Sequence, residues 1–241
     1  MTEERIAKRM ARAGVCSRRE AERLIESGRV SVNGKKIASP ALNVNDSDLV
    51  MVDGRAIEDK QPARLFRYHK PSGLVTTAKD PQGRPTVFDN LPKELGRVIS
   101  VGRLDLTSEG LLLLTNDGGL ARHMELPATG WARRYRVRVH GEVDEEKLAA
   151  LAKGITVEGV RYGNIEALLD KRQGSNAWLT VGLSEGKNRE IRKVMAALGL
   201  VVNRLIRVSY GPFQLGNLPK GAVEEVPRRV LKDQFGKLLS K

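Results

Sequence analysis

Apolar residues in this chain come in short runs, and their spacing switches between helical and strand periods. Ile6, Met10 and Ala13 share one helical face, with Arg5, Lys8, Arg9 and Arg12 around the other side and Gly14 as a stop. Ser17 and Glu20 have capping-box spacing and predict a second helix over 18–27, closed by Gly28. Val30-Ser31-Val32 alternates as a strand, Asn33-Gly34 is a two-residue hairpin turn, and Lys35-Lys36-Ile37 returns. Leu49-Val50-Met51-Val52 followed by Asp53-Gly54 repeats strand and turn. The expectation is two short basic helices on a small sheet within residues 1–60, with 59–63 as a linker.

Beyond the linker the periods mix without regular strand-helix-strand alternation. Residues 64–69, 74–77, 99–101, 111–115, 135–139, parts of 157–169, 177–182 and 204–210 read as strands. Residues 145–153, 188–198 and 227–239 read as helices. This predicts an α+β chain: the small N-terminal domain, then a larger domain over 64–241 with a mainly antiparallel mixed sheet flanked by helices.

Charge changes the picture. The 241 residues carry 42 Lys and Arg against 29 Asp and Glu, a net +13 that favours a polyanionic partner. The excess sits at the two ends. Residues 1–36 hold ten basic residues against five acidic, 37–60 two against five, and 186–241 twelve against four. Aromatic residues make up only 4%, so backbone contacts suit this chain better than an extended stacking platform for single strands. The one cysteine, Cys16, excludes an internal disulfide and reads as a buried small residue. No apolar run reaches the length of a membrane span, and residues 1–5 open into a charged amphipathic pattern instead of a leader, so a cytoplasmic location is expected.

The candidate chemistry lies at Gly102-Arg103-Leu104-Asp105-Leu106-Thr107, between two apolar runs. A loop held between buried strands is where catalytic groups concentrate, and a carboxylate with an adjacent guanidinium suits nucleophilic attack beside a held phosphate. From the local pattern alone, a surface loop with an ion pair is the better reading. Other chemistries lack their residues. His69, His123 and His140 are too few and scattered for a metal site, no phosphate-loop signature occurs, and the serines of 108–110 and 184–186 form no nucleophile elbow.

Four segments in order resemble the motifs of the pseudouridine synthases, in particular the ribosomal small-subunit pseudouridine synthase A family. They are Lys70-Pro71-Ser72-Gly73, the Gly-Arg-Leu-Asp stretch ending at Asp105, Arg134-Tyr135-Arg136-Val137, and 185–193 (Glu-Gly-Lys-Asn-Arg-Glu-Ile-Arg-Lys). The last two look closest to large-subunit members of the B type. The N-terminal segment resembles the small RNA-binding domain named after small-subunit ribosomal protein four, through its paired helices and the 28–35 stretch.

The resemblance implies an isomerase that flips a uridine out of folded ribosomal RNA and rejoins its base through carbon five. A large-subunit hairpin is the favoured target, with a small-subunit target or a non-catalytic assembly factor as alternatives. It implies Asp105 as nucleophile, Tyr135 stacked on the base, and Arg192 as the cation beside the aspartate, with Arg189 in reserve. Asn188 would cap the helix and place Arg192 one turn inside. Arg103, Lys187, Asn188, Arg189 and Lys70 would contact RNA near the site; Lys8, Arg12, Arg18, Arg19 and Lys35 would do so from the N-terminal domain. No metal or cofactor is implied, and a monomer is expected. A dimeric DNA-binding regulator reading duplex through residues 18–27 is the remaining rival, and no dimerisation seam supports it.

Overall fold

A two-residue strand, β1 (Glu4–Arg5), opens the first of two units in the computed structural model, which describes residues 3–58 and 61–239. Asp59 and Lys60 of the expected linker lie outside the described residues. Helices α1 (Ile6–Arg12) and α2 (Arg18–Glu26) follow, and the Ser17 hydroxyl accepts from the Glu20 amide at 3.1 Å as the capping pattern requires. Strands β2 (Val30–Val32), β3 (Lys35–Lys36), β4 (Asn43–Val44), β5 (Val50–Val52) and β6 (Arg55–Ala56) complete the unit. The sheet runs β3-β2-β5-β6, and β1 pairs with β4. Both hairpin turns place consecutive residues at positive φ, Asn33 (50°) with Gly34 (79°) and Asp53 (51°) with Gly54 (77°), the conformation that matches strand twist. The core is Ile6, Met10, Ala21, Leu24, Ile25, Val30, Val44 and Val50. Cys16 is half-buried against it, less enclosed than its composition class suggests.

The second unit holds β7 (Leu65–Lys70), β8 (Ile99–Val101), β9 (Ser108–Thr115), α3 (Gly118–Glu125), β10 (Arg133–His140), α4 (Glu145–Ala150), β11 (Ile155–Val157) and β12 (Val160–Tyr162). It continues with β13 (Ile165–Gln173), β14 (Asn176–Leu183), α5 (Glu190–Ala197), β15 (Val201–Tyr210), β16 (Phe213–Gln214), β17 (Val223–Glu225) and α6 (Arg228–Leu239). Its nine-stranded sheet runs β13-β14-β10-β15-β9-β7-β17, with β8 on β9 and β16 on β15. Only the β15–β9 pairing is parallel, so the sheet is mixed and mainly antiparallel.

Strand β9 is buried at every residue, which explains its continuous apolar run. Its Gly110 sits at φ +102°, and a Cβ there would lie 2.3 Å from the Arg207 carbonyl oxygen. The close approach of β9 to β15 therefore requires glycine.

One expectation changes, and one helix goes unpredicted. Residues 74–77 form no strand; Val75 makes a single bridge to Thr86. Helix α3 was not legible, because it starts at Gly118-Gly119 with no capping signal. Lys93–Val98 and Asn116–Gly118 group with the first unit. Among the described residues no helix is long and apolar enough to cross a membrane.

Candidate active site

The aspartate loop is held by its backbone. Strand β8 ends at Val101, so Arg103 lies on the loop and not on the strand face that simple alternation would give it. Lys70, the last residue of β7, is fully buried. Its Nζ donates to the carbonyls of Asp105 (3.1 Å) and Ser108 (2.9 Å), lies 3.4 Å from that of Leu106, and also donates to Pro71 (3.0 Å). Arg192 on α5 donates to the Thr107 hydroxyl at 3.0 Å and the Val202 carbonyl at 3.1 Å. The Thr76 hydroxyl donates to the Leu104 carbonyl, the Gly73 amide to that of Leu106, and the Gly102 amide to Glu125 Oε1. Two cations thus staple residues 105–108 from either side without bonding to the Asp105 carboxylate.

That placement corrects two expectations. Lys70 was read as an RNA contact, but a side chain with no exposed surface reaches no phosphate. Burial pushes its ammonium down to about 8, against the opposing pull of Asp105 and Glu109. Arg192 was read as the cation paired with Asp105. Instead Arg189 Nη1 stands 3.7 Å from Asp105 Oδ2, while Arg192 donates to the Thr107 hydroxyl. The cause is local. Helix α5 begins at Glu190, and Arg189 sits before it in the left-handed region at φ 51°, where Asn188 was expected to cap. This turn sends Arg189 toward the aspartate.

A cleft of about 260 Å³ opens beside the loop. It is lined by Arg103, Asp105, Tyr135, Lys187, Arg189 and Arg207, among others. Tyr135 on β10 is directly opposite Arg207 on β15 and directly opposite Val181 on β14, so its ring rises from the middle of the sheet. Arg207 is almost fully buried; its Nε donates to the Leu111 carbonyl at 2.7 Å, and its guanidinium lies 5.2 Å from the Tyr210 ring centroid. Arg133 donates to the carbonyls of Ser184 and Glu185 and to the Tyr210 hydroxyl, tying the end of β14 to β15. Glu190 is buried, with Oε2 accepting from the Lys187 amide at 2.9 Å, and burial raises its carboxyl above the usual range.

Sequence reading missed Arg207, Arg133 and Glu190. For Arg207 a signal existed. It shares strand parity with Leu205, so a charge falls on the apolar face of β15.

The remaining expected RNA contacts scatter. Arg103, Asn188 and Arg189 are exposed around the cleft, and Lys187 is partly engaged by Glu185 at 2.8 Å. In the first unit Arg18, Arg19 and Lys35 are exposed, whereas Lys8 and Arg12 both pair with Glu4, at 3.1 and 2.8 Å. Among the described residues no cluster of three or more His, Cys, Asp or Glu is placed to hold a metal.

The cleft therefore offers a fixed carboxylate with a cation beside it, a phenol ring, and a second cation at its floor. Comparisons with known proteins give the family. The family model for RNA pseudouridylate synthases matches residues 64–197, and the S4 domain model matches residues 4–59. A protein of Rickettsia felis described as an uncharacterized RNA pseudouridine synthase is 49% identical over 229 residues, covering 95% of this chain and 99% of that one. The ribosomal large subunit pseudouridine synthase B of Salmonella typhi is 44% identical over 230 residues, covering 92% of this chain and 79% of the relative. A crystal structure of a pseudouridylate synthase matches with a TM-score of 0.65 and 27% identity, covering 95% of this chain and 98% of the other. With both matches in chain order and relatives aligned nearly end to end, this chain belongs to the RNA pseudouridylate synthase family and carries an S4 RNA-binding domain ahead of the synthase domain.

Proposed function

We propose that the chain isomerises one uridine in large-subunit ribosomal RNA, with Asp105 as the nucleophile. The observation that carries this reading is the Asp105 loop itself. Lys70 fixes the carbonyls of Asp105 and Ser108 and Arg192 the Thr107 hydroxyl, and neither uses the Asp105 carboxylate, which lines a cleft shared with Tyr135. Preorganisation of this kind is what an attacking group needs, because the loop does not have to order itself during the reaction.

The chemistry balances within one nucleotide. The N1–C1′ bond breaks, C5 bonds to C1′, the C5 proton leaves, and N1 gains a proton. Asp105 attacks the flipped nucleoside and holds one fragment while the base turns. Tyr135 stacks under the base, and its hydroxyl is in position to assist loss of the C5 proton. Arg189, 3.7 Å away, orients the carboxylate. Arg103 and Lys187, at the cleft rim, hold flanking phosphates. The S4 domain supplies further backbone contacts through Arg18, Arg19 and Lys35. The large-subunit target rests on the identity to the Salmonella synthase B. A monomer in the cytoplasm completes the reading.

Two tests address it. The purified chain, incubated separately with large- and small-subunit transcripts, should release C5-bound tritium from the large-subunit RNA only; release from the small-subunit RNA alone would reverse the target. Arg189→Ala should lower kcat roughly 100-fold with little change in Tm, because Arg189 is half exposed and bonds to no backbone group. Arg192→Ala should lower Tm as well, through its lost grip on Thr107 and Val202. A kcat within threefold of wild type for Arg189→Ala would return the orienting role to Arg192.

A further inference from the structure

Side chains alternate across a strand, so the β10 residues next to Tyr135 point away from the cleft. They are Arg134, Arg136 and Arg138, while Tyr135, Val137 and Val139 are buried on the cleft side. Arg134 and Arg136 are exposed and Arg138 is half-buried. The three arginines stand at alternate positions of the strand, where the backbone repeat is about 6.8 Å. Among the described residues none of the three has a carboxylate or carbonyl partner; the one contact recorded for them is Arg136, whose Cζ lies 4.8 Å from the Trp178 ring centroid.

The neighbouring strands do not neutralise the row. On β14 the partners are Gly182, Thr180 and Trp178. On β15 Arg204 stands opposite Arg138, a like-charge pair that costs stability unless something offsets it. Arg204 has its own partner, the buried Glu109, at 2.7 Å, which Lys220 also reaches at 2.6 Å. Besides Glu109, opposite Ile206 on the same face, the carboxylates beside the row are Glu166 and Asp170 of β13. Asp170 accepts from the Thr180 hydroxyl, and Glu166 lies beside Gly182 without pairing to Arg134. Lys171, opposite Trp178, adds another positive charge at the outer strand.

Three arginines on one strand without an acidic partner raise the local potential, and only Arg136 has a ring contact, to Trp178. Trp178 fixes the plane of one of them, which lowers the entropy lost when it meets a ligand. From this we infer that the face of the sheet opposite the cleft is a second RNA-binding track, in which Arg134, Arg136 and Arg138 take the phosphate backbone of the substrate RNA outside the nucleotide being modified. The inference rests on RNA as the substrate class, not on the role given to Asp105. It predicts that long RNA is bound by both faces and a short hairpin by the cleft face alone.

The test uses the full chain with Arg134, Arg136 and Arg138 all changed to Gln, and a large-subunit ribosomal RNA transcript as probe. Each lost phosphate contact removes about 0.7 to 0.9 from the slope of log affinity against log salt, so the triple variant should be shallower by roughly 2 to 3. Its affinity at low salt should fall at least tenfold for the transcript and within threefold for a short hairpin cut from it. kcat at saturating RNA should stay at the wild-type value. The triple Lys variant should keep the wild-type slope, since the charge remains. Arg136→Gln alone, should the triple variant melt early, should lose about 0.7 to 0.9 of slope. A folded triple Gln variant with the wild-type slope and affinity overturns the track and leaves the face to an acidic protein partner. A triple Lys variant as weak as the Gln variant overturns it too, because the loss would then be one of shape. Absence of turnover in the wild-type chain would count against the isomerase reading alone.

Discussion

Asp105→Asn is expected to reduce uridine isomerisation by about 10⁴-fold or more, as removal of a covalent nucleophile does elsewhere. The substitution keeps the size and shape of the side chain and removes its charge. The loop should survive, because Lys70 and Arg192 bind its backbone and the Thr107 hydroxyl, and none of those bonds uses the carboxylate. RNA affinity should stay within about threefold, or tighten slightly, since one negative charge leaves a cleft that meets phosphates. The readout is tritium release from RNA carrying tritium at uridine C5, with binding measured on the same RNA. Loss of turnover together with loss of binding would point to a collapsed loop and not to a missing nucleophile.

Lys70→Met is expected to act through position instead of contact. Methionine fills the same channel but leaves the carbonyls of Asp105 and Ser108 without their donor, at a cost of about 1–3 kcal/mol each if they stay buried. The substitution also removes a buried ammonium, whose displacement from 10.5 to about 8 corresponds to about 3 kcal/mol of folding stability at neutral pH. The two terms offset, so Tm should change little while kcat falls roughly 100-fold from the misplaced loop.

The pH dependence separates this from simple damage. The unfolded chain holds the Lys70 proton up to 10.5, and the folded chain releases it near 8. The cost of the charge is therefore complete below pH 8 and fades between 8 and 10.5, so this group makes stability rise with pH across that window. Activity should move the opposite way. Neutral Lys70 has two protons for its carbonyls instead of three, so wild-type kcat should decline above pH 8. The residual activity of Lys70→Met should lack that decline. An identical alkaline limb in both proteins would assign it to another group.

Local chemistry explains which parts of this architecture sequence reading reached. Asn33-Gly34, Asp53-Gly54 and the Ser17 cap act through contacts within a few residues, and each forms as its pattern demands. The α+β class and the mainly antiparallel sheet followed from the mix of periods. The site was legible as a set of segments, since the Asp105 loop, Tyr135 and the 187–192 turn do line or flank one cleft.

What failed depended on tertiary placement. Lys70 looked like a free cation because no local pattern states that β7 ends beneath the aspartate loop. Its strand parity with Phe66 and Tyr68, both buried, was the available clue. Arg189 and not Arg192 reaches the aspartate because helix α5 starts one residue later than the Asn188 cap implied, behind a left-handed residue that only the folded turn requires. Helix α3 carries two glycines where a helix start usually has a side-chain cap, so its propensity was hidden and packing decides it.

The central claim, that Asp105 drives uridine isomerisation in large-subunit RNA, is tested most directly by carbodiimide mapping of pseudouridine. Both ribosomal RNAs would be mapped after incubation with wild-type protein and with Asp105→Asn. One new stop in the large-subunit RNA, present with wild type and absent with the variant, is the predicted result. The same stop appearing with Asp105→Asn would contradict the account.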